Sequence, residues 1–158
     1  MSAGNGPVAD RDLSKLAPRF REQVLVALAE CHSGGIDAIM YEGWRSPELQ
    51  ALYYARGRTI IPPATPVTYA RSNLYSWHGY GLAVDCISQS KGWDQPMTWF
   101  LAMADIFKRH GCKWGGDWRR ADPPHFQYGA CKPSPSDRAR ELYAAGGVEA
   151  VWVAVGAA

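Results

Sequence analysis

Apolar residues at Leu16, Phe20, Val24, Leu28 and Cys31 recur every three or four positions, the spacing of one helix face. Pro18 suits the first turn of that helix, where a missing N–H costs little, and Gly34-Gly35 ends it. Ile36 to Tyr41 predicts a short strand. Ser46-Pro47 predicts an N-cap and first-turn proline, opening a second helix that runs to about Tyr54. Leu82 to Ile87 predicts another strand, and Pro96 to His110 an amphipathic helix with Lys108, Arg109 and His110 in its last turn and Gly111 as its stop. A Gly- and Trp-rich turn, Trp114 to Trp118, precedes a short strand from His125 to Tyr128. Ser134-Pro135 predicts the start of a last helix that halts near Gly146-Gly147. Residues 57–75 hold Gly57, three prolines and few periodic apolar positions, so they predict a long surface loop. Such a loop in a small domain is ordinarily functional or mobile. There is no internal repeat, and the irregular mixture of helices and strands argues for an α+β fold over a doubly wound sheet.

A length of 158 residues suits one domain spanning 1–158, and 47% apolar against 20% charged residues suffices to bury a core. The 17 basic and 15 acidic residues leave a net charge of +2. That is too weak and dispersed for a nucleic-acid-binding stripe, though it is compatible with an anionic polymer. No run approaches the roughly 18 apolar residues of a membrane-spanning helix, so no membrane insertion is expected. The opening MSAGNGPVADRD lacks the basic-then-apolar pattern of a secretory signal, so work outside the cell would need another exit. Cys31, Cys86, Cys112 and Cys131 lie far apart with no CxxC pair and are expected to be reduced core thiols.

The chemistry concentrates between Ser76 and Asp85 and again between Asp122 and His125. In a strand from Leu82, side chains alternate: Leu82, Val84 and Cys86 share the apolar face, while Ala83 and Asp85 share the other. Gly79 and Gly81 let the chain fold back tightly, so that His78 approaches Asp85. The Asp122-Pro123-Pro124-His125 segment is expected in polyproline geometry, which would point residues 122 and 125 the same way, roughly 9 Å apart. Three ligands (His78, Asp85 and His125) and a base (Asp122) are what a catalytic zinc needs, with a coordination position left open. Each piece alone has a plainer reading. A lone histidine is ordinarily a surface or satisfied core residue, as His32 and His110 are read, and Asp122 beside two prolines suits a turn. The joint pattern favours one zinc ion. Arg45 stands where a strand gives way to a capped helix, a junction that aims a side chain into a cleft, although a solvated surface arginine fits equally well. Asp117 either braces a ligand or caps its turn. Trp44, Trp77, Tyr80, Trp114 and Trp118 flank these motifs and suit either groove walls or the core.

The run Ser76-x-His78-x-x-Gly81-x-Ala83-x-Asp85 resembles the SxHxxGxAxD signature of the D-alanyl-D-alanine carboxypeptidase and L-alanyl-D-glutamate peptidase family. Gly115-Gly116-Asp117-Trp118 with Asp122-x-x-His125-Phe126 resembles the family's second half, and Gly43-x-Arg45 with Gln50 extends the likeness over roughly residues 36–128. The resemblance implies a small antiparallel sheet with flanking helices, shared with lysostaphin-like enzymes and the hedgehog signalling domain. It implies zinc on His78, Asp85 and His125 with Asp122 as general base. Family members often carry Glu at that last place, and phage lytic enzymes often Asp, as here. Arg45 would meet a substrate carboxylate or the scissile carbonyl; Ser76 and Gln50 would complete substrate binding.

Residues 133–158 lie beyond the motifs and look like the tail of single-domain phage endolysins, expected to pack back on the core as about 25 residues cannot form one. The expected protein is therefore a monomeric peptidase that binds and cuts bacterial peptidoglycan, most of all at the L-alanyl-D-glutamate bond. As an endolysin it would wait in the host cytoplasm until a holin opens the membrane. Three rivals stand beside it. They are a D-Ala-D-Ala carboxypeptidase of wall metabolism, a non-catalytic zinc-containing binding domain, and a zinc amidase, which would show a different ligand order.

Overall fold

The computed structural model describes residues 6–158. Helix α1 (Pro18–Ser33) buries Phe20, Val24, Ala27 and Cys31 along one face, and the chain leaves it through Gly34 and Gly35. Strand β1 (Ala38–Glu42) follows, then α2 (Pro47–Ala55), whose Ser46 hydroxyl accepts from the Leu49 N–H at 3.1 Å. That bond satisfies one of the amides left over at a helix start. Residues 57–72 contain no helix or strand beyond the isolated Arg56–Ile60 bridge, and short 3-10 turns follow at Asn73–Tyr75 and Trp77–Tyr80. Strand β2 (Ala83–Ser88), helix α3 (Met97–Arg109), strand β3 (Cys112–Trp114), strand β4 (His125–Tyr128) and helix α4 (Asp137–Val155) complete the chain.

The four strands form one antiparallel sheet in the order β1-β2-β4-β3. One face carries Met40, Val84, Cys86 and Phe126, which join Phe20, Val24, Met103 and Phe107 of α1 and α3 in the apolar core. Phe107 stacks on Phe126 with ring centres 4.1 Å apart, and Phe20 meets Tyr128 edge-on at 6.3 Å. Helices α1 and α3 therefore cover this face and leave the other to carry polar side chains, where α2 brings Gln50 and Tyr53. By cross-strand register that second face presents Glu42, Asp85, Ala83, His125 and Gln127. Glu42 reaches it through a bulge. Pairing runs Ala38 with Ser88, Ile39 with Ile87 and Met40 with Cys86, then skips Tyr41, so that Glu42 opposes Asp85.

Two expectations need correction, and one strand is added. The last helix is capped by Ser136, whose hydroxyl accepts from the Ala139 N–H, and not by Ser134; Pro135 precedes that cap. It also does not stop at the glycine pair. Gly146 and Gly147 kink it, and it resumes to Val155 because Val151 and, past the helix end, Ala157 bury apolar surface. Tertiary burial outweighs the local break. The strand Cys112–Trp114 went unforeseen, being only three residues long, although its buried-exposed-buried alternation is visible in hindsight.

The carboxyl-terminal segment is tied to the rest of the molecule at several points. Trp152 Nε1 donates to Tyr80 O at 2.6 Å, the Tyr128 hydroxyl to Gly156 O at 2.9 Å, and Arg19 N to Ala157 O at 3.0 Å. All four cysteines are buried free thiols.

Candidate metal centre

Asp85 and His125 are direct cross-strand partners on β2 and β4, a pairing that holds Cβ atoms about 5 Å apart. His78 arrives from the side, on the 3-10 turn Trp77–Tyr80 just before β2. Two glycines make that approach possible. A Cβ on Gly79 would lie 2.0 Å from Asn73 O, and Gly81 takes φ +67° to end the turn. The Ser76 hydroxyl caps the same turn, accepting from the His78 N–H at 3.3 Å.

His78 Nε2 lies 3.4 Å from Asp85 Oδ1, and His125 Nδ1 lies 3.6 Å from the same oxygen. The three ligand atoms all fall within 4.8 Å of one another. Zinc bonds of about 2.0–2.1 Å in tetrahedral array separate ligand atoms by about 3.3 Å, close to the two distances measured from Asp85 Oδ1. The two imidazoles are fixed in matching states by their other nitrogens. His78 Nδ1 faces Gly43 O at 2.8 Å, and a carbonyl only accepts, so Nδ1 carries a hydrogen and, in the neutral ring, Nε2 keeps its lone pair. His125 Nε2 faces Gln127 Oε1 at 2.8 Å, while Gln127 Nε2 donates to Lys132 O at 2.8 Å. That second bond orients the amide, so His125 Nε2–H donates and Nδ1 is free to ligate. Two nitrogens and one carboxylate oxygen suit zinc.

Charge reinforces the arrangement. Burial alone would raise the Asp85 carboxyl, but when the rings are protonated the His78 charge and hydrogen bonds from both histidines outweigh it and hold the group well below the usual carboxylate range. Asp85 is thus an anion, ready to ligate. Burial would likewise lower His125, but its hydrogen bond to Asp85 and the charges of Asp85 and Asp122 raise it.

Asp122 Oδ2 lies 3.9 Å from His125 Nδ1. The expected polyproline geometry is absent: His125 N donates to Asp122 O at 3.1 Å, closing a four-residue turn over Pro123-Pro124. Asp122 N donates to Gly115 O at 2.9 Å, which anchors the turn on the Gly-rich segment. The plainer turn reading of Asp122 and the base reading hold together, since the turn itself brings the carboxylate to the histidine. Loss of surrounding water, followed by the negative charge of Asp85, raises the Asp122 carboxyl, although 51% of its side chain stays exposed.

Arg45 is buried, not solvated. Its Nε pairs with Glu42 Oε1, its Nη1 donates to Gln50 Oε1 at 2.9 Å, and its Nη2 stands 3.5 Å from Asp85 Oδ2. Gln50 is wholly buried and its own Nε2 donates to Ala70 O at 2.8 Å, so it holds Arg45 and not a substrate. Its amide has no surface to offer. Asp117 turns away from the metal centre and pairs with Lys108 at 2.7 Å, its side chain half exposed, so it braces no ligand. Of the flanking aromatics, Trp77, Tyr80 and Trp114 are core, while partly exposed Trp118 lies against the His125 ring at 4.9 Å. Sequence reasoning missed Glu42 and Gln127. Gln127 was within reach, because two residues beyond His125 on a strand shares its face; the bulge that delivers Glu42 leaves no local signal.

A model of the D-alanyl-D-alanine carboxypeptidase family matches residues 70–128, which include His78, Asp85, Asp122 and His125. The peptidoglycan L-alanyl-D-glutamate endopeptidase CwlK of Bacillus subtilis (strain 168) is 36% identical over 126 residues, covering 72% of this chain and 74% of CwlK. The chain belongs to the D-alanyl-D-alanine carboxypeptidase family and is a metallopeptidase. Solved structures show the same fold. The L-Ala D-Glu endopeptidase ChiX of Serratia marcescens superposes with TM-score 0.54 at 22% identity, covering 73% of this chain and 82% of ChiX. A mutant of the vancomycin resistance D,D-pentapeptidase VanY, in complex with Zn(II), gives TM-score 0.51 at 17% identity, covering 82% of this chain and 78% of VanY.

Proposed function

We propose that this chain is a zinc-dependent peptidoglycan peptidase that hydrolyses the L-alanyl-D-glutamate bond of the stem peptide. His78, Asp85 and His125 hold the metal and Asp122 is the general base. The observation that carries this reading is the Asp85–His125 cross-strand pair, with His78 Nε2 alongside at 3.4 Å from Asp85 Oδ1 and the Asp122 carboxylate beside it. CwlK and ChiX, both named as endopeptidases of this bond, support the choice of substrate.

Zinc held by such a set supplies a Lewis acid for the scissile carbonyl and lowers the pKa of a neighbouring water. Asp122 takes the proton from the attacking water and passes it to the departing amine; its raised pKa suits both transfers. Arg45 Nη2, 3.5 Å from Asp85 Oδ2 and committed to no hydrogen bond as Nε and Nη1 are, is offered to the carbonyl oxygen as charge develops there. A bidentate grip on a substrate carboxylate would need Nη1 or Nε as well, and these already serve Gln50 and Glu42. The Ser76 hydroxyl accepts from His78 N and keeps its own hydrogen for the peptide.

The test is digestion of purified sacculi, with products read by mass spectrometry. New L-Ala carboxyl and D-Glu amino termini, lost with chelator and restored by zinc, are expected. Release of terminal D-Ala alone would reassign the chain as a carboxypeptidase. We extend the reading to phage lysis, on the likeness of the tail from Ala139 to Val155 to that of endolysins. Expression together with a holin should then lyse cells, and expression alone should not.

A further inference from the structure

From Leu49 to Val84 the chain contains no aspartate or glutamate, yet it carries Arg56, Arg58 and Arg71. The loop within this stretch arches beside the metal centre and is tied on both sides of it. Gln50, the partner of Arg45, donates to Ala70 O at 2.8 Å, and Arg120, two residues before Asp122, donates to Pro66 O at 2.9 Å. Along the arch guanidinium groups lie on tyrosine rings. Arg58 is 3.7 Å from the centre of Tyr54 and 5.9 Å from Tyr69, while Arg120 is 4.1 Å from Tyr69, which is 70% exposed.

These cations are uncompensated. Arg109, Arg138 and Arg140 each meet a carboxylate within 4.0 Å, but among the described residues Arg58, Arg71 and Arg120 meet none. Arg58 and Arg120 each commit one N–H to a backbone carbonyl and keep the others. Two guanidinium groups within 6 Å of one tyrosine ring, neither meeting a carboxylate among the described residues, favour an anion there. Stacking holds their planar forks in place, the geometry that meets a carboxylate through two parallel N–H bonds.

We infer that Arg58 and Arg120, gathered on Tyr69, anchor the free carboxylates of the peptide stem next to the bond being cut. The inference rests on the peptidoglycan reading above and names the substrate chemistry that its cleft selects. Exposed ion pairs are weak singly, so two together should favour a free carboxylate over its amide by about 3- to 10-fold.

The experiment compares synthetic stem peptides bearing free or amidated carboxylates, bound to the zinc-loaded full chain and read by tryptophan fluorescence. Turnover is followed separately by mass spectrometry of the same mixtures. Wild type should prefer the free acid, Arg58→Gln/Arg120→Gln should bring the ratio to about one, and Arg58→Lys/Arg120→Lys should keep part of it. Equal binding of the two peptides by wild type overturns the inference, as does a ratio that the Gln variant leaves intact. Binding of an inorganic polyphosphate with no carboxylate preference also overturns it. An intact preference without cleavage of any peptide would sink the proposed activity and leave this anchoring site standing.

Discussion

Gln127 holds His125 from behind: its Oε1 lies 2.8 Å from His125 Nε2, on the opposite edge of the ring from the nitrogen that faces Asp85. The amide is in turn oriented by Lys132 O. An imidazole without that acceptor can move its hydrogen to Nδ1 and lose the lone pair that would ligate. Gln127→Leu is expected to weaken zinc binding by about 10- to 100-fold, measured by competition with a fluorescent chelator. An unchanged affinity would show that packing alone sets the ring.

Asp122→Asn removes the proton acceptor and leaves all three ligands in place. Zinc content should stay near one per chain while kcat falls by about 100- to 10,000-fold. The raised carboxyl pKa also sets the sign of the acid limb, because a base works only when deprotonated. Activity should fall as pH decreases through the Asp122 carboxyl pKa and the base becomes protonated. Sacculus clearance by the variant at wild-type rate would remove Asp122 from the mechanism.

Glu42 is 1% exposed and pairs with Arg45, which is 8% exposed, while its other oxygen accepts from the Tyr53 hydroxyl at 2.8 Å. Taking one partner from a buried pair leaves a charge in a site poor in water. Glu42→Ala should therefore cost about 3–5 kcal/mol, read from urea unfolding followed by circular dichroism. A loss below about 1 kcal/mol would mean that Asp85 compensates Arg45 unaided.

Asp37 clamps the start of β1 to the end of β2, accepting from Ser88 Oγ at 2.9 Å, Ser90 N at 2.9 Å and Ser90 Oγ at 2.6 Å. The Ser90 hydroxyl first and its N–H second bring the Asp37 carboxyl down to about 2. A folded-state pKa below the unfolded one stabilises at pH above ~3.9, and that contribution disappears as pH falls through about 2. Asp37→Asn should accordingly lower the urea midpoint at pH 7, with the gap to wild type closing near pH 2. A gap independent of pH would assign the effect to shape and not to charge.

Much of this molecule was legible along the chain. The stop at Gly34-Gly35, the Ser46 cap, the Gly111 break and the β4 boundaries depend on a few consecutive residues, so local propensity and capping determined them. The same holds for the glycine-shaped turn that carries His78, and for the alternation that sends Asp85 away from the helix-packed face. Contacts between distant segments were decided only by the tertiary structure. Strand register set Asp85 against His125, and a bulge at Tyr41 brought Glu42 beside Asp85 and buried Arg45 among fixed partners. The turn over Pro123-Pro124 closed where extended geometry was expected, and Lys108 drew Asp117 away from the metal centre. The register and the bulge are decided by pairing between strands far apart in the chain, and the turn and the Lys108–Asp117 pair by anchoring contacts that hydrophobic periodicity does not report.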